Sequence, residues 1–436
     1  MQIEWITFIM FGSLLAALIT GLPITYAVGM SSMICAFLLW GPNSLFGLVS
    51  SVIGTMNNWT LLAVPLFTFM SIYLFETGMV EDLYDTFYRF TGRIRGGLAL
   101  CSVIVGAIMG AMTGVVAGTV IALTTIALPQ MNKYKYDKNI SMGAILSGGT
   151  LGQLIPPSVC MIIYGTMTGT SVGGLFAGGL SSGLLLTAIF CIYILIRCYM
   201  NKNLCPTMPE SEQAPFWDNV RHLKKVFWPC VLVLAVLGTI FSGAATPTEA
   251  AAVGCTGAIV VSLFKRRCTF AAIFKTSQET LKMISMVGFV IFPAMFFGQV
   301  FTGLGGKQLV INMTSNIPFG ATGAITVMMM IVFFLGMFLD TTAIVVICAP
   351  LFAPIIQMHR VDPLWFGILF MVCIQTAYLT PPFGFSMFYL KAAAPGVKLV
   401  DVYWAAIPFL VCQIVGLVLC YAFPFLAMWG VWLFLG

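Results

Sequence analysis

The sequence predicts an all-α polytopic membrane protein made of two inverted-topology repeats, each carrying a re-entrant helical hairpin and a broken helix. Three observations lead there: an apolar composition, a self-similarity at one fixed offset, and a one-sided distribution of basic residues. Of 436 residues, 60% are hydrophobic and 8% charged, with a mean hydropathy of +1.02, whereas soluble domains carry about 25% charged residues. The chain therefore belongs in a lipid bilayer. Thirteen cysteines occur singly beside two histidines, with no Cys-x-x-Cys pair, so neither a disulfide framework nor a transition-metal site is expected. The net charge of +6 is assigned to topology and not to nucleic acid, since Lys and Arg near span ends collect on the cytoplasmic side. The first apolar segment, Ile6 to Ile19, lacks a basic n-region and runs through TGLPIT into another apolar segment. With no small-residue cleavage pattern it is expected to be retained as a helix.

The repeat is read from landmarks that recur at an offset of 225 residues. Ala27-Val28-Gly29 matches Ala252-Val253-Gly254, Thr77-Gly78 matches Thr302-Gly303, Pro129 matches Pro354 and Asp137 matches Asp362. Pro156-Pro157 then matches Pro381-Pro382, and Tyr164 matches Tyr389. Gly, Pro and Asp in one order without a gap are not the product of apolar composition. The expected organisation is a first repeat over 1–196, a cytoplasmic linker over 197–225 and a second repeat over 226–436.

Orientation follows from charge. The loop from Arg197 to Lys225 and the run Lys265-Arg266-Arg267 are basic and so cytoplasmic, which makes the turn SGAATPT external; its counterpart TGLPIT falls inside. The copies then have opposite orientation, and among the basic residues only Lys307 and Arg360 lie outside. This threading requires Gly97 to Leu128 and Ala321 to Phe352 to return to the side they came from. Each is about 32 residues, whereas one span needs about 20 and two need about 40, so a re-entrant hairpin fits best.

The hairpins are expected to turn near Met109 to Thr119 and near Leu335 to Ala343, both rich in Gly and Thr. Each tip ends one half-helix and begins another, exposing N–H groups that attract anions and carbonyls that attract cations. The paired prolines lack N–H groups, so the carbonyls of Gly152 and Gln153, and of Ala377 and Tyr378, are expected to be free and to serve as hard oxygen ligands for an alkali cation, sodium. Broken helices meeting at the midplane of inverted repeats are the design of secondary transporters. Asp340 is read either as an ion-site or gating residue, because a carboxylate near the bilayer centre costs about 2.5 to 3.5 kcal/mol, or as a cap for the half-helix that follows. Glu249, three residues after Thr246, is expected to close a capping box at the surface. Asn57 and Asn58 are placed at the interface or along the solute path, and Glu81 to Arg95 forms a helix along the membrane surface. Trp5, Trp40, Trp228, Trp404, Trp429 and Trp432 fall near span ends, as an aromatic belt would.

The segments GLPITYAVG, LLAVPLFTFM, TGVVAG, TLGQLIPPSVCMIIYG, FLGMFLDTTAIVVICAPLFAPI and TAYLTPPFGFSMFYL together resemble the large membrane subunit of tripartite ATP-independent periplasmic (TRAP) transporters, over essentially the whole chain. The resemblance implies an elevator-type ion transporter of the bacterial inner membrane that uses Na+ as coupling ion, needs no cofactor, and carries a carboxylate substrate. It also implies two partners, a small four-helix membrane subunit and a periplasmic substrate-binding protein. By the same resemblance Thr113, Gly114, Gly152, Pro156, Ser158, Asp340, Thr341, Thr342, Ala377, Thr380 and Pro381 line the sodium and substrate sites. The first tip departs from the family's usual Ser-Gly-Ser-Ser, reading Thr113-Gly114-Val115-Val116; either backbone carbonyls supply the ligands, or the pocket is less polar. The alternative in the same class is a self-sufficient sodium/dicarboxylate symporter or gluconate-type permease. An enzyme is not expected, since there is no Ser/His, paired-carboxylate, metal or nucleotide constellation.

Overall fold

The computed structural model describes residues 3–207, 209, 216–306, 308 and 320–436. In chain order the helices are α1 (Ile3–Ile19), α2 (Ile24–Trp40), α3 (Phe46–Met56), α4 (Ala63–Glu76), α5 (Met79–Thr91), α6 (Gly97–Thr113), α7 (Val116–Lys133), α8 (Lys138–Thr150), α9 (Val159–Thr168) and α10 (Val172–Met200). There follow α11 (Phe216–Phe241), α12 (Pro247–Phe264), α13 (Phe270–Gly303), α14 (Gly320–Gly336), α15 (Thr341–Met358), α16 (Pro363–Tyr378), α17 (Phe385–Ala393), α18 (Leu399–Ala422) and α19 (Pro424–Leu435). Among the described residues seven helices are long and apolar enough to cross a membrane.

The same order of elements recurs 225 residues on. Residues at this spacing are called mates. Helix α7 and α15 coincide end to end at that offset, and α6 with α14, α8 with α16, α9 with α17 and α10 with α18 agree to within a few residues. The α3–α4 pair corresponds to the single helix α13: Asn57 and Asn58 interrupt the first, where Asn58 Oδ1 accepts from Thr60 N at 3.0 Å, while its mate Met283 continues the second. The mate of α5 falls in the segment that contains Lys307 and 309–319, which lie outside the described residues, as do 208 and 210–215 of the linker.

Local chemistry explains the boundaries. Thr246 and Glu249 form the expected capping box, with Thr246 N donating to Glu249 Oε2 at 2.8 Å and Glu249 N to Thr246 Oγ1 at 3.3 Å. Asp137 and its mate Asp362 cap α8 and α16 through the following backbone N–H groups. Helices α8 and α16 are almost wholly buried. Glycines let α6 approach α8: a Cβ on Gly106 would come within 2.6 Å of the Gly148 carbonyl, so backbones touch where side chains elsewhere intervene.

Helix α5 carries its charges on one face and is pinned at its start. The side chain of Asp82, 14% exposed, pairs with Lys265 Nζ at 3.1 Å and Arg267 Nη1 at 2.9 Å, and Arg267 Nη1 also donates to the carbonyls of Thr77 and Gly78 at 3.1 Å. Lys275 pairs with Glu76 at 2.8 Å.

The two halves are not packed alike. Helix α15 lies against α13, whereas its mate α7 makes no comparable packing with α3 or α4 among the described residues; α9 packs on the short turn Trp59–Leu62, whereas its mate α17 makes no comparable packing with α13.

Candidate functional site

The first hairpin turns at Gly114 and Val115. Gly114 adopts φ +61°, a left-handed conformation that glycine takes without a Cβ penalty, and a Cβ there would lie 2.4 Å from the Pro157 carbonyl oxygen. The tip is thus seated on the proline break. Thr113 Oγ1 meets Thr119 Oγ1 at 3.0 Å, and Thr119 Oγ1 donates to Val115 O at 3.0 Å. Gly152 faces this pair, its Cβ direction pointing to Thr119 Oγ1 and Val115 O. The helix does not continue through Pro156 and Pro157, and α9 begins after Ser158, which is fully buried and whose Oγ has no partner among the described residues. Thr113, Gly114, Gly152, Pro156 and Ser158 are therefore gathered around a group of neutral oxygen atoms. Among the described residues no turn, loop or side-chain donor reaches the carbonyls of Gly152 and Gln153.

The second tip differs in chemistry. Asp340 caps α15, its Oδ2 accepting from Thr342 N at 3.0 Å, while its Oδ1 accepts from Tyr378 OH at 3.0 Å. Thr341 Oγ1 lies 3.4 Å from Gln153 Oε1, which joins the second tip to the first proline break. Gly336 packs on Ala377. The expectation of free carbonyls fails here: Thr380 N donates to Ala377 O at 3.0 Å and Ser386 Oγ to Tyr378 O at 2.7 Å. The turn around Pro381 folds back far enough for protein donors to replace the missing N–H groups, leaving each carbonyl its second lone pair. Thr380 Oγ1 donates to Thr376 O at 2.9 Å and does not reach the tip.

Both tips open on one cavity of about 190 Å³. Its lining comes in mates: Val115 with Asp340, Val116 with Thr341, Ala117 with Thr342, Gln153 with Tyr378. Gly114 also lines it, whereas Thr113, Gly152, Pro156, Ser158, Ala377, Thr380 and Pro381 stand behind the wall. Val159, Cys160, Tyr389 and three residues of α13, Met283, Met286 and Val287, complete it. Asp340 is the single formal charge of the lining, and the Gln153 Nε2 donor is buried without a partner among the described residues. Val115 and Val116 present apolar side chains to this cavity. Sequence reasoning placed Gln153 and Tyr378 at the breaks only for their carbonyls; that they are mates beside paired prolines was the signal that both face one cavity. Nothing in the sequence singled out Cys160 or the α13 residues.

Residues 11–426 match the family described as "Tripartite ATP-independent periplasmic transporter, DctM component". The chain belongs to this family. It is a large permease of a TRAP system, a multi-pass transporter of the bacterial inner membrane and not an enzyme. The C4-dicarboxylate TRAP large permease of Pseudomonas aeruginosa is 32% identical over 399 residues, 91% of this chain and 92% of that one. The ectoine TRAP large permease TeaC of Halomonas elongata is 27% identical over 424 residues, 97% of this chain and 98% of that one. The fold resembles that of the YdaH transporter of Alcanivorax borkumensis, with a TM-score of 0.58 at 13% identity over 89% of this chain and 90% of that one, and MtrF of Neisseria gonorrhoeae, with a TM-score of 0.61 at 10% identity over 89% and 83%. Membership of a tripartite system implies a small permease and a periplasmic binding protein as partners of this TRAP permease.

Proposed function

We propose that this permease imports a carboxylate solute, delivered by a periplasmic binding protein, by sodium-coupled elevator-type alternating access together with a small four-helix membrane subunit. The observation that carries the reading is the single cavity lined by mates from both hairpin tips. In that cavity the N-terminal ends of α7 and α15 offer partial positive charge to a carboxylate, and the unpartnered Gln153 Nε2 offers a hydrogen bond.

The charge balance favours a cation partner. A solute carboxylate entering here joins Asp340 and meets no Lys, Arg or His in the lining, so two negative charges in a low-dielectric space need sodium beside them. The neutral oxygens around Thr113, Val115 and Ser158 suit a hard monovalent ion, which requires oxygen ligands and no histidine or thiolate. One sodium entering across 100 mV gains about 2.3 kcal/mol. Coupling requires the ion to bind one state of the tips better than the other; a tip completed by the ion and then by the solute meets that requirement. In this reading 1–196 and 226–436 are inverted repeats joined by the cytoplasmic linker 197–225, and the moving unit comprises the hairpins and broken helices.

Uptake into proteoliposomes holding this chain and its small subunit tests the proposal, with and without an inward sodium gradient and with and without the loaded binding protein. Uptake that needs both supports it. Uptake with sodium alone would instead favour the self-sufficient symporter.

A further inference from the structure

Val287 of α13 lines the cavity between the tips and also a second cavity of about 150 Å³ next to it. The second cavity is formed where α3 and α4 meet α13, and Asn58, Leu61 and Leu62 line it. These three are the mates of Met283, Met286 and Val287, the residues that now wall the transport cavity. The same patch of sequence thus occurs twice, once beside the hairpin tips and once, at the turn between α3 and α4, lining a cavity without them.

The packing is unequal in the same sense. Helix α15 rests on α13 while its mate α7 has no comparable rest on α3 or α4; α9 rests on the Trp59–Leu62 turn while its mate α17 has no comparable rest on α13. If the two halves exchange roles, each missing contact forms and each present one opens, with no new surface needed. Lys282, beside Met283, is 71% exposed and pairs with Glu279 at 2.6 Å, and its mate Asn57 is likewise exposed beside the second patch.

We infer that Asn58, Leu61 and Leu62 form a second scaffold wall for the transport site, on which the hairpin tips rest in the opposite-facing state. The inference rests on the elevator reading and adds the place where the site stops. Asn58 then brings a side-chain amide to the bound solute where the present wall has the Met283 thioether, so the two states present different chemistry to one cargo.

Cysteine pairs in the full chain, depleted of its native cysteines and reconstituted with the small subunit, test this with a short bis-methanethiosulfonate linker and mass spectrometry of the linked peptides. Thr341→Cys with Met286→Cys reports the present state. Its mate pair, Val116→Cys with Leu61→Cys, reports the exchanged state, and Ala117→Cys with Leu62→Cys repeats that test should the first variant fold poorly. Links in the present-state pair and in at least one exchanged pair, each abolishing uptake until reduced, are expected. A Thr341–Met286 link without either exchanged link overturns the inference. Because link formation is read without transport, a permease that forms both links yet shows no sodium-dependent uptake before linking or after reduction would count against the functional proposal alone.

Discussion

Asp340 uses its two oxygens differently: one holds the first turn of α15, the other takes the Tyr378 hydroxyl. Asparagine caps helices about as well as aspartate, so Asp340→Asn is expected to leave thermal stability nearly unchanged. Its sodium half-saturation in uptake should rise by about tenfold, equivalent to about 1.4 kcal/mol, and unchanged sodium dependence at normal expression would remove Asp340 from the ion site. Gln153 makes the complementary case. Its Nε2 is buried without a partner among the described residues, and such a donor costs about 1 to 3 kcal/mol, so Gln153→Leu should keep or raise the melting temperature while uptake falls by at least about tenfold, about 1.4 kcal/mol in transition-state terms. A variant that melts earlier and still transports would mean that Gln153 is structural. The sequence made Asp340 legible because a carboxylate in an apolar run is conspicuous. Gln153 was harder to read, since one buried amide has meaning only when its neighbour across the fold, here Thr341, is known.

Elements were read from the sequence where a backbone rule alone fixes them. The proline pairs mark the breaks that follow α8 and α16, glycine turns the first tip at φ +61°, and Thr246 starts α12. The carbonyls freed by Pro381 and Pro382 were misread because their donors, Thr380 N and Ser386 Oγ, come from the path of the chain after the break, which local rules do not set. The anchoring of α5 was equally invisible, as Asp82 and Arg267 lie far apart in sequence. Breaking a largely buried ion pair by removing one partner costs about 3 to 5 kcal/mol; Arg267 is 41% exposed, so the loss here should fall below that range. Asp82→Asn should accelerate amide hydrogen exchange across Met79–Thr91 while leaving α8 unchanged. Uniform exchange throughout the chain, or none gained in α5, would deny α5 its anchor in this cluster.

At the scale of the molecule, composition and one offset were enough to predict an all-helical membrane protein and the order of its elements, since Gly, Pro and Asp landmarks tolerate little substitution. The offset says that two halves match but not how they meet, and the departure from equality, α15 on α13 without comparable packing of α7 on α4 among the described residues, exists only in three dimensions. Cys160 offers a native reporter, because it lines the shared cavity beside Asp340. The central claim is that the solute fills that cavity with sodium bound beside it. Its most direct test is the rate at which N-ethylmaleimide modifies Cys160 in the reconstituted permease, followed by peptide mass spectrometry that separates it from the other twelve cysteines. Sodium should slow modification relative to potassium at equal ionic strength, and the loaded binding protein should slow it further; a rate indifferent to both would contradict the account.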